Sequence, residues 1–238
     1  MGAINMAFVQ ESVCKVCPYR KESVFSDLTE ARLDQFCDLK VVSHYKKDRR
    51  IFYEGEPNLG LFILCSGKVK LSRSSKLGRS QIMSITGPCG LLEEKDLFVK
   101  DRHTVTAEAM EDCVVCFVKK EGFLDFLKFN PQVAVKMIEQ LSRELEQAEE
   151  RIEALAVMDV KGRLADLLLR LSKQYGKAIP GGRLIEIALT REEMAEMVGT
   201  TQETVIRVLS GFRKERLIKD IEKQILLINE ERLNRIAG

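Results

Sequence analysis

Ile138, Leu141, Leu145, Ala148, Ile152 and Leu155 follow one another at intervals of 3, 4, 3, 4 and 3 residues, with Glu, Arg and Gln filling most positions between them. That is a heptad seam, narrower than the stripe by which a helix packs on its own domain. It predicts one long helix opened by Pro131 and reaching about Met158. A second copy of the chain is the simplest partner for such a seam, giving a twofold dimer.

The period changes on either side. Residues 29–40 read as a helix capped by Thr29, with Leu33, Phe36, Cys37 and Leu39 near one face. From about 41 to 125 the chain runs in short β-rich segments: IFYEGEP, LGLFILCSG, KVKLSRSSKLG, RSQIMSITG, HTVTAEAM and DCVVCFV. Gly55, Pro57, Gly67, Gly78 and Gly87 punctuate them. Regular short strands of this kind predict a β-roll or jelly-roll barrel. EGFLDFLK (121–128) adds a short helix before the long one. Beyond it, Leu164, Leu167, Leu168 and Leu171 mark a core-facing helix within 161–178, with Gly176 a natural stop, and a strand is expected around 184–189.

Residues 190–212 then read as two short helices and a tight turn. Thr190 and Glu193 have capping-box spacing. Ala195 is small where the helices cross, and Gly199 suits the turn because glycine tolerates positive φ. Thr200 or Thr201 can cap the second helix. Val205, Val208 and Leu209 form its buried stripe, leaving Gln202, Glu203, Ile206 and Arg207 outward. This is a helix-turn-helix, whose second helix enters a DNA major groove. RLIKDIEKQILLI folds back around Glu222 and Lys223 as a closing hairpin, the wing of the winged variety. The predicted fold is α+β, in four parts: a cysteine-containing leader (1–28), a β-roll domain (29–130), a dimerisation helix (131–158) and a winged helix-turn-helix (159–238).

Composition alters this picture little. A net charge of +2 does not by itself announce a polyanion partner, but Arg213, Lys214, Arg216 and Lys219 cluster just after the outward helix and can hold phosphates. No apolar run approaches the roughly 20 residues that cross a bilayer, and MGAINMAFVQESVC lacks the pattern of a signal peptide. A cytoplasmic, membrane-free protein is expected. Nothing resembles a nucleophile–base pair, a phosphate-cradling glycine loop or a metalloprotease motif, so no enzyme is expected. The seven cysteines are odd in number and do not suggest a disulfide framework.

Three blocks, in this order and spacing, resemble the CRP/FNR family of bacterial transcription regulators over nearly the whole chain. IFYEGEPNLGLFILCSGKVKL (51–71) is similar to the family's sensor barrel, the heptad helix to its dimerisation helix, and GTTQETVIRVLSGFRKERLI (199–218) to its recognition helix. The resemblance implies a homodimeric, sequence-specific regulator of transcription that binds a near-palindromic double-stranded DNA site and works with RNA polymerase. Half-sites would lie one turn apart, roughly 34–36 Å. It places Gln202, Glu203, Ile206 and Arg207 at base-reading positions, with Thr200, Thr201, Arg213 and Lys214 beside them. The chemistry agrees: Arg207 offers a donor fork to guanine and Glu203 an acceptor to cytosine. Glu203 also has capping-box spacing from Thr200, a purely structural alternative. The competing function is a cyclic-nucleotide-binding-like module acting on protein partners.

The signal is less legible. Cyclic-nucleotide members of the family use a Gly-Glu pair and an Arg-Ser pair. Here Gly90 is followed by Leu91, and Arg102 by His103 and Thr104, so cyclic AMP is not expected. The oxygen-sensing branch holds an iron–sulfur cluster on three N-terminal cysteines and one barrel cysteine. Cys14, Cys17 and Cys116 match that set, while the third N-terminal cysteine falls at Ser23. Cys113 lies close to Cys116 in sequence, Cys37 is a substitute on a buried helix face, and Cys65 and Cys89 read as structural. An iron–sulfur cluster, a Cys14/Cys17 redox pair, haem on His103, another small ligand and no effector at all stay open.

Overall fold

The computed structural model describes Cys14 and residues 17–74 and 80–238. The start of the leader and the turn expected at Gly78 lie outside these residues. The chain divides into two units, Met1–Leu145 and Glu146–Gly238, the division falling inside the long helix.

In the first unit a 3-10 turn (Arg20–Glu22) leads to α1 (Glu30–Leu39), whose first turn is capped by the Thr29 side chain accepting from the Arg32 amide. Leu33 and Phe36 are buried, but Leu39 is exposed at the last turn rather than sharing their face. Eight strands follow: β1 (Lys40–Tyr45), β2 (Arg50–Phe52), β3 (Gly60–Ser66), β4 (Val69–Ser74), β5 (Ser80–Thr86), β6 (Leu91–Leu92), β7 (Thr106–Ala109) and β8 (Cys113–Lys119). They form two antiparallel four-stranded sheets, in orders β1-β8-β3-β6 and β2-β7-β4-β5. This is the expected β-roll. A short helix, α2 (Glu94–Val99), interrupts the strands between β6 and β7; six residues are too few to carry a readable helical period.

Side-chain alternation along β8 explains the core. Cys113 and Val115 point to the cluster between the sheets, with Phe52, Val69 and Ala107. Cys116 and Val118 point to the opposite face, where Leu61 and Ile63 of β3 meet Phe36, Phe123 and Val133. That second cluster is closed by α1, α3 (Lys120–Phe129) and the first turns of α4 (Pro131–Val157), which contribute Val133 and Met137.

The second unit opens with α5 (Val160–Tyr175), capped by Asp159, whose carboxylate accepts from the Gly162 amide at 2.7 Å. Gly176 ends it, as expected, but the chain then forms a strand, β9 (Gly176–Ile179). Its partner is β10 (Gly182–Ile185), which starts and ends earlier than the strand expected around 184–189. The helix-turn-helix is α6 (Arg191–Val198) and α7 (Gln202–Lys214). The wing hairpin is β11 (Ile218–Ile221) and β12 (Gln224–Leu227), turning at Glu222 and Lys223. All four strands share one sheet, β11-β12-β10-β9. A last helix, α8 (Glu230–Ala237), packs on α5 through the buried Leu233.

Candidate functional site

The outward helix is built as its residues dictate. Thr190 and Glu193 form the reciprocal capping box at the start of α6, and Gly199 takes the left-handed conformation (φ 69°) at its end. Thr201 rather than Thr200 caps α7, its hydroxyl accepting from the Thr204 amide. Val205, Leu209 and Phe212 are fully buried beneath it. Gln202, Glu203, Ile206 and Arg207 are exposed together on the other side. With Thr201 and not Thr200 as the cap, Glu203 closes no box with Thr200, but its carboxyl still engages its own amide and Thr201 at the helix start. Its carboxyl is held below the usual range by backbone donation at the helix start and by Thr201.

The basic cluster divides into two kinds. Lys214, Arg216 and Lys219 are exposed. Arg213 instead donates to Asp220 of β11 at 2.6 Å, while Arg191 of α6 reaches the other oxygen of that carboxylate at 3.0 Å. Arg213 therefore ties α7 to the wing.

Along α4, Ile138, Leu145, Ile152 and Leu155 are exposed, and Leu141 and Ala148 half-buried. Val135 extends the exposed apolar positions one turn towards the helix start. A stripe of large aliphatic side chains in water is the arrangement that a second helix would cover.

In the β-roll, the region where the resemblance places a phosphate cup holds a buried hydrogen-bond network. Glu93 adopts φ 59° and ψ 39°, and its side chain is fully buried. Its Oε1 accepts from the Thr104 amide at 2.9 Å and the Thr104 hydroxyl at 2.7 Å, and its Oε2 lies 2.8 Å from His103 Nδ1. His103 stacks on Phe52 at 3.8 Å between ring centroids, with its Nδ1 engaged by this network. Arg102 turns outward and donates to the Gly55 carbonyl. Thr104 thus meets its partners within the chain, its amide also donating to Asp96 at 2.9 Å.

The cysteines make the larger departure from expectation. Cys14, Cys17 and Cys116 line one cavity, and Cys65 and Cys89 line it too. Cys17 Sγ is 3.0 Å from Cys89 Sγ, and Cys65 Sγ is 2.8 Å from Cys116 Sγ. Lys40 donates to Cys14 Sγ at 3.2 Å. Phe25, Leu33, Phe36, Ile63 and Leu64 complete the wall. A bulge in β3 between Leu64 and Ser66 brings Cys65 beside Cys116, a contact that depends on strand pairing and has no local sequence signal. Cys113 is on the other face of β8, bonded to the Lys68 and Glu111 carbonyls, and Cys37 does not line the cavity.

The chamber's thiols are electrostatically distinct. Burial pushes Cys14 up to about 11 against the pull of Lys40. Burial and the contact with Cys17 raise Cys89. Cys65 is raised first by its bond to Cys116 and then by burial, whereas that same bond lowers Cys116. The two sulfurs share one hydrogen bond, so one of them can carry charge while the other keeps its proton. Burial disfavours the Lys40 ammonium, yet Cys14 and Cys116 outweigh it and hold its charge on. Among the described residues no three His, Cys, Asp or Glu side chains gather tightly enough to grip one metal ion. The five thiols instead surround a space of about 40 Å³, so a larger group enters only if the touching pairs part. The donor set is soft, walled largely by apolar side chains and flanked by a cation, which fits an iron–sulfur cluster.

Residues 42–130 match the cyclic nucleotide-binding domain family, and residues 162–236 the Crp-like helix-turn-helix domain family. The CRP-like cAMP-activated global transcriptional regulator of Mycobacterium tuberculosis is 30% identical over 193 residues, covering 81% of this chain and 86% of that one. The cyclic AMP receptor protein of Thermus thermophilus is 30% identical over 175 residues, 74% of this chain and 78% of that one. Among solved structures, FixK2 from Bradyrhizobium japonicum superposes with a TM-score of 0.73 at 26% identity, over 84% of this chain and 98% of its own. The Mycobacterium tuberculosis relative is a transcriptional regulator, and no helix among the described residues is long and apolar enough to cross a membrane. The β-roll, the long helix and the winged helix-turn-helix follow one another as in these relatives, and the chain belongs to the CRP/FNR family of transcription regulators, with a helix-turn-helix DNA-binding domain.

Proposed function

We propose that the protein is a homodimeric, sequence-specific DNA-binding regulator whose signal enters through the thiol chamber and not through a cyclic nucleotide. The observation that carries the DNA half is the exposed quartet Gln202, Glu203, Ile206 and Arg207 on a helix capped at Thr201. Arg207 and Glu203, four residues apart, share one face and read a guanine and a cytosine. Gln202 adds amide contacts and Ile206 meets a thymine methyl. Thr200, Thr201, Lys214, Arg216 and Lys219 supply phosphate contacts, while Arg213 braces the helix against the wing. Two copies pair along Ile138–Leu155 and present matched helices to a near-palindromic site, from which RNA polymerase is engaged or blocked.

The Glu93 network supports the exclusion of cyclic AMP, and the five-thiol cavity supports a thiol- or cluster-based signal. A bound cluster would supply a centre whose charge and ligation change with redox state. This chain's residues would anchor it, shield it from water with Phe25 and Phe36, and offset its charge with Lys40. The test is a binding-site selection on protein prepared anaerobically and again after exposure to air, with sedimentation of the same samples. A single palindromic consensus, bound by a dimer and altered in affinity by air, is the expected result. A monomer with no sequence preference in either state overturns the reading.

A further inference from the structure

We propose that Cys89 supplies the thiolate that Ser23 cannot, so that Cys14, Cys17, Cys89 and Cys116 together hold an iron–sulfur cluster, with Cys65 as a hydrogen-bond donor to the Cys116 sulfur. This rests on the reading of the chamber as the sensing site. Ser23 is spent as a turn residue: its hydroxyl donates to the Arg20 carbonyl at 2.7 Å and accepts from the Phe25 amide at 3.2 Å. Cys89 is placed where a cysteine is hardest to explain by backbone needs. It has φ 63°, a conformation that favours glycine, in the turn Gly87-Pro88-Cys89-Gly90. Its amide donates to the Leu64 carbonyl at 2.6 Å, pinning the turn to β3, and its sulfur touches Cys17. A side chain held in a left-handed turn against the chamber wall marks a position kept for its chemistry.

Cys37 hydrogen-bonds to Cys14 from outside the cavity wall, which leaves Cys65 and Cys89 as the two further cysteines that line it, and topology separates them. Cys65 and Cys116 stand on β3 and β8, whose ladder fixes their separation. Their sulfurs, 2.8 Å apart, are too close as they stand to ligate different iron atoms, and with both backbones held in the sheet only side-chain rotation can part them. Cys17 and Cys89 lie on the leader and on a turn, and can part. Hydrogen bonds to ligating sulfurs tune a cluster's potential, which is the part left to Cys65. On ligation each of the four thiols gives its proton to solvent, and Lys40 beside Cys14 offsets part of the resulting negative charge.

The experiment loads the full chain anaerobically with ferrous iron and sulfide, then measures iron and acid-labile sulfide per chain with the visible spectrum. Cys89→Gly is the decisive variant, because glycine is at ease at φ 63° and the turn keeps its shape. It should lose at least about fivefold in bound iron, as should Cys17→Ala, since each removes one ligating thiolate. Cys65→Ala and Cys113→Ala should keep the full iron content, Cys65→Ala with a shifted reduction potential. Full iron content in Cys89→Gly overturns the proposal. So does a wild-type chain that takes up no iron and yields a Cys17–Cys89 disulfide peptide in air. DNA selection on the same samples separates the two readings: iron bound without sequence preference removes the regulator and leaves the site, and sequence preference without iron does the reverse.

Discussion

Glu93 and Thr104 are joined twice, one carboxylate oxygen accepting both the amide and the hydroxyl of the threonine. The second oxygen faces His103, and the Glu93 and His103 side chains are sealed from water. Glu93→Ala leaves the Thr104 hydroxyl and His103 Nδ1 without this acceptor, while the Thr104 amide keeps Asp96 at 2.9 Å. A loss of about 2–4 kcal/mol in unfolding free energy is expected, read from urea titrations. Thr104→Val, which removes only the hydroxyl, should cost about 1 kcal/mol.

Arg207→Ala should weaken binding to the selected site by about 1–3 kcal/mol and relax the preference at one base pair per half-site. Lys214→Ala should weaken all sequences alike and lower the slope of log affinity against log salt by about one. Fluorescence anisotropy across a salt series measures both. An unchanged consensus in Arg207→Ala would remove this residue from base reading.

Ile152 stands 67% exposed in the seam. Covering it in a dimer is worth about 1.5–3 kcal/mol per copy, so Ile152→Lys should weaken dimerisation by at least about 100-fold in dissociation constant. Sedimentation equilibrium at micromolar concentration should show monomer, with the β-roll and the winged domain still folded by circular dichroism.

Glu94 is buried at the start of α2, where Gln140 of α4 donates to it at 2.7 Å. Burial first, and then the neighbouring Glu144, push its carboxyl from 4.5 up to about 8, against a small opposing pull from Lys95. Between those values the folded chain keeps a proton that the unfolded chain has lost. Stability from this group is therefore full below pH 4.5 and declines as pH rises towards 8. Glu94→Gln should remove that slope, matching the wild type at low pH and exceeding it by up to about 5 kcal/mol at pH above roughly 8. Urea titrations at several pH values test it.

The architecture was legible wherever a period ran long enough. The seam over Ile138–Leu155, the capping box at Thr190 and the turn at Gly199 all rest on neighbours in sequence. α2 and α8, of six and eight residues, are too short for a period to stand out. β9 forms through pairing within the wing sheet, which no local signal announces. Cys65 and Cys89 were read as structural because ligand spacing was sought along the chain. Their juxtaposition with Cys17 and Cys116 arises from the β3–β8 register and from a left-handed turn. Cys113 is separated from Cys116 by alternation alone: three positions along a strand put two side chains on opposite faces. The residue competing for the phosphate cup, Glu93, was missed because Gly90 was taken as the start of the corresponding pair.

Asp220 clasps Arg191 and Arg213 at once, so the first helix of the motif, the reading helix and the wing are bolted at a single carboxylate. A head fastened in that way behaves as one solid tool. Whatever the cell tells this protein can swivel the tool or withdraw it, but cannot retool its fingers, and the motif it seeks on the chromosome should be the same in every signalling state.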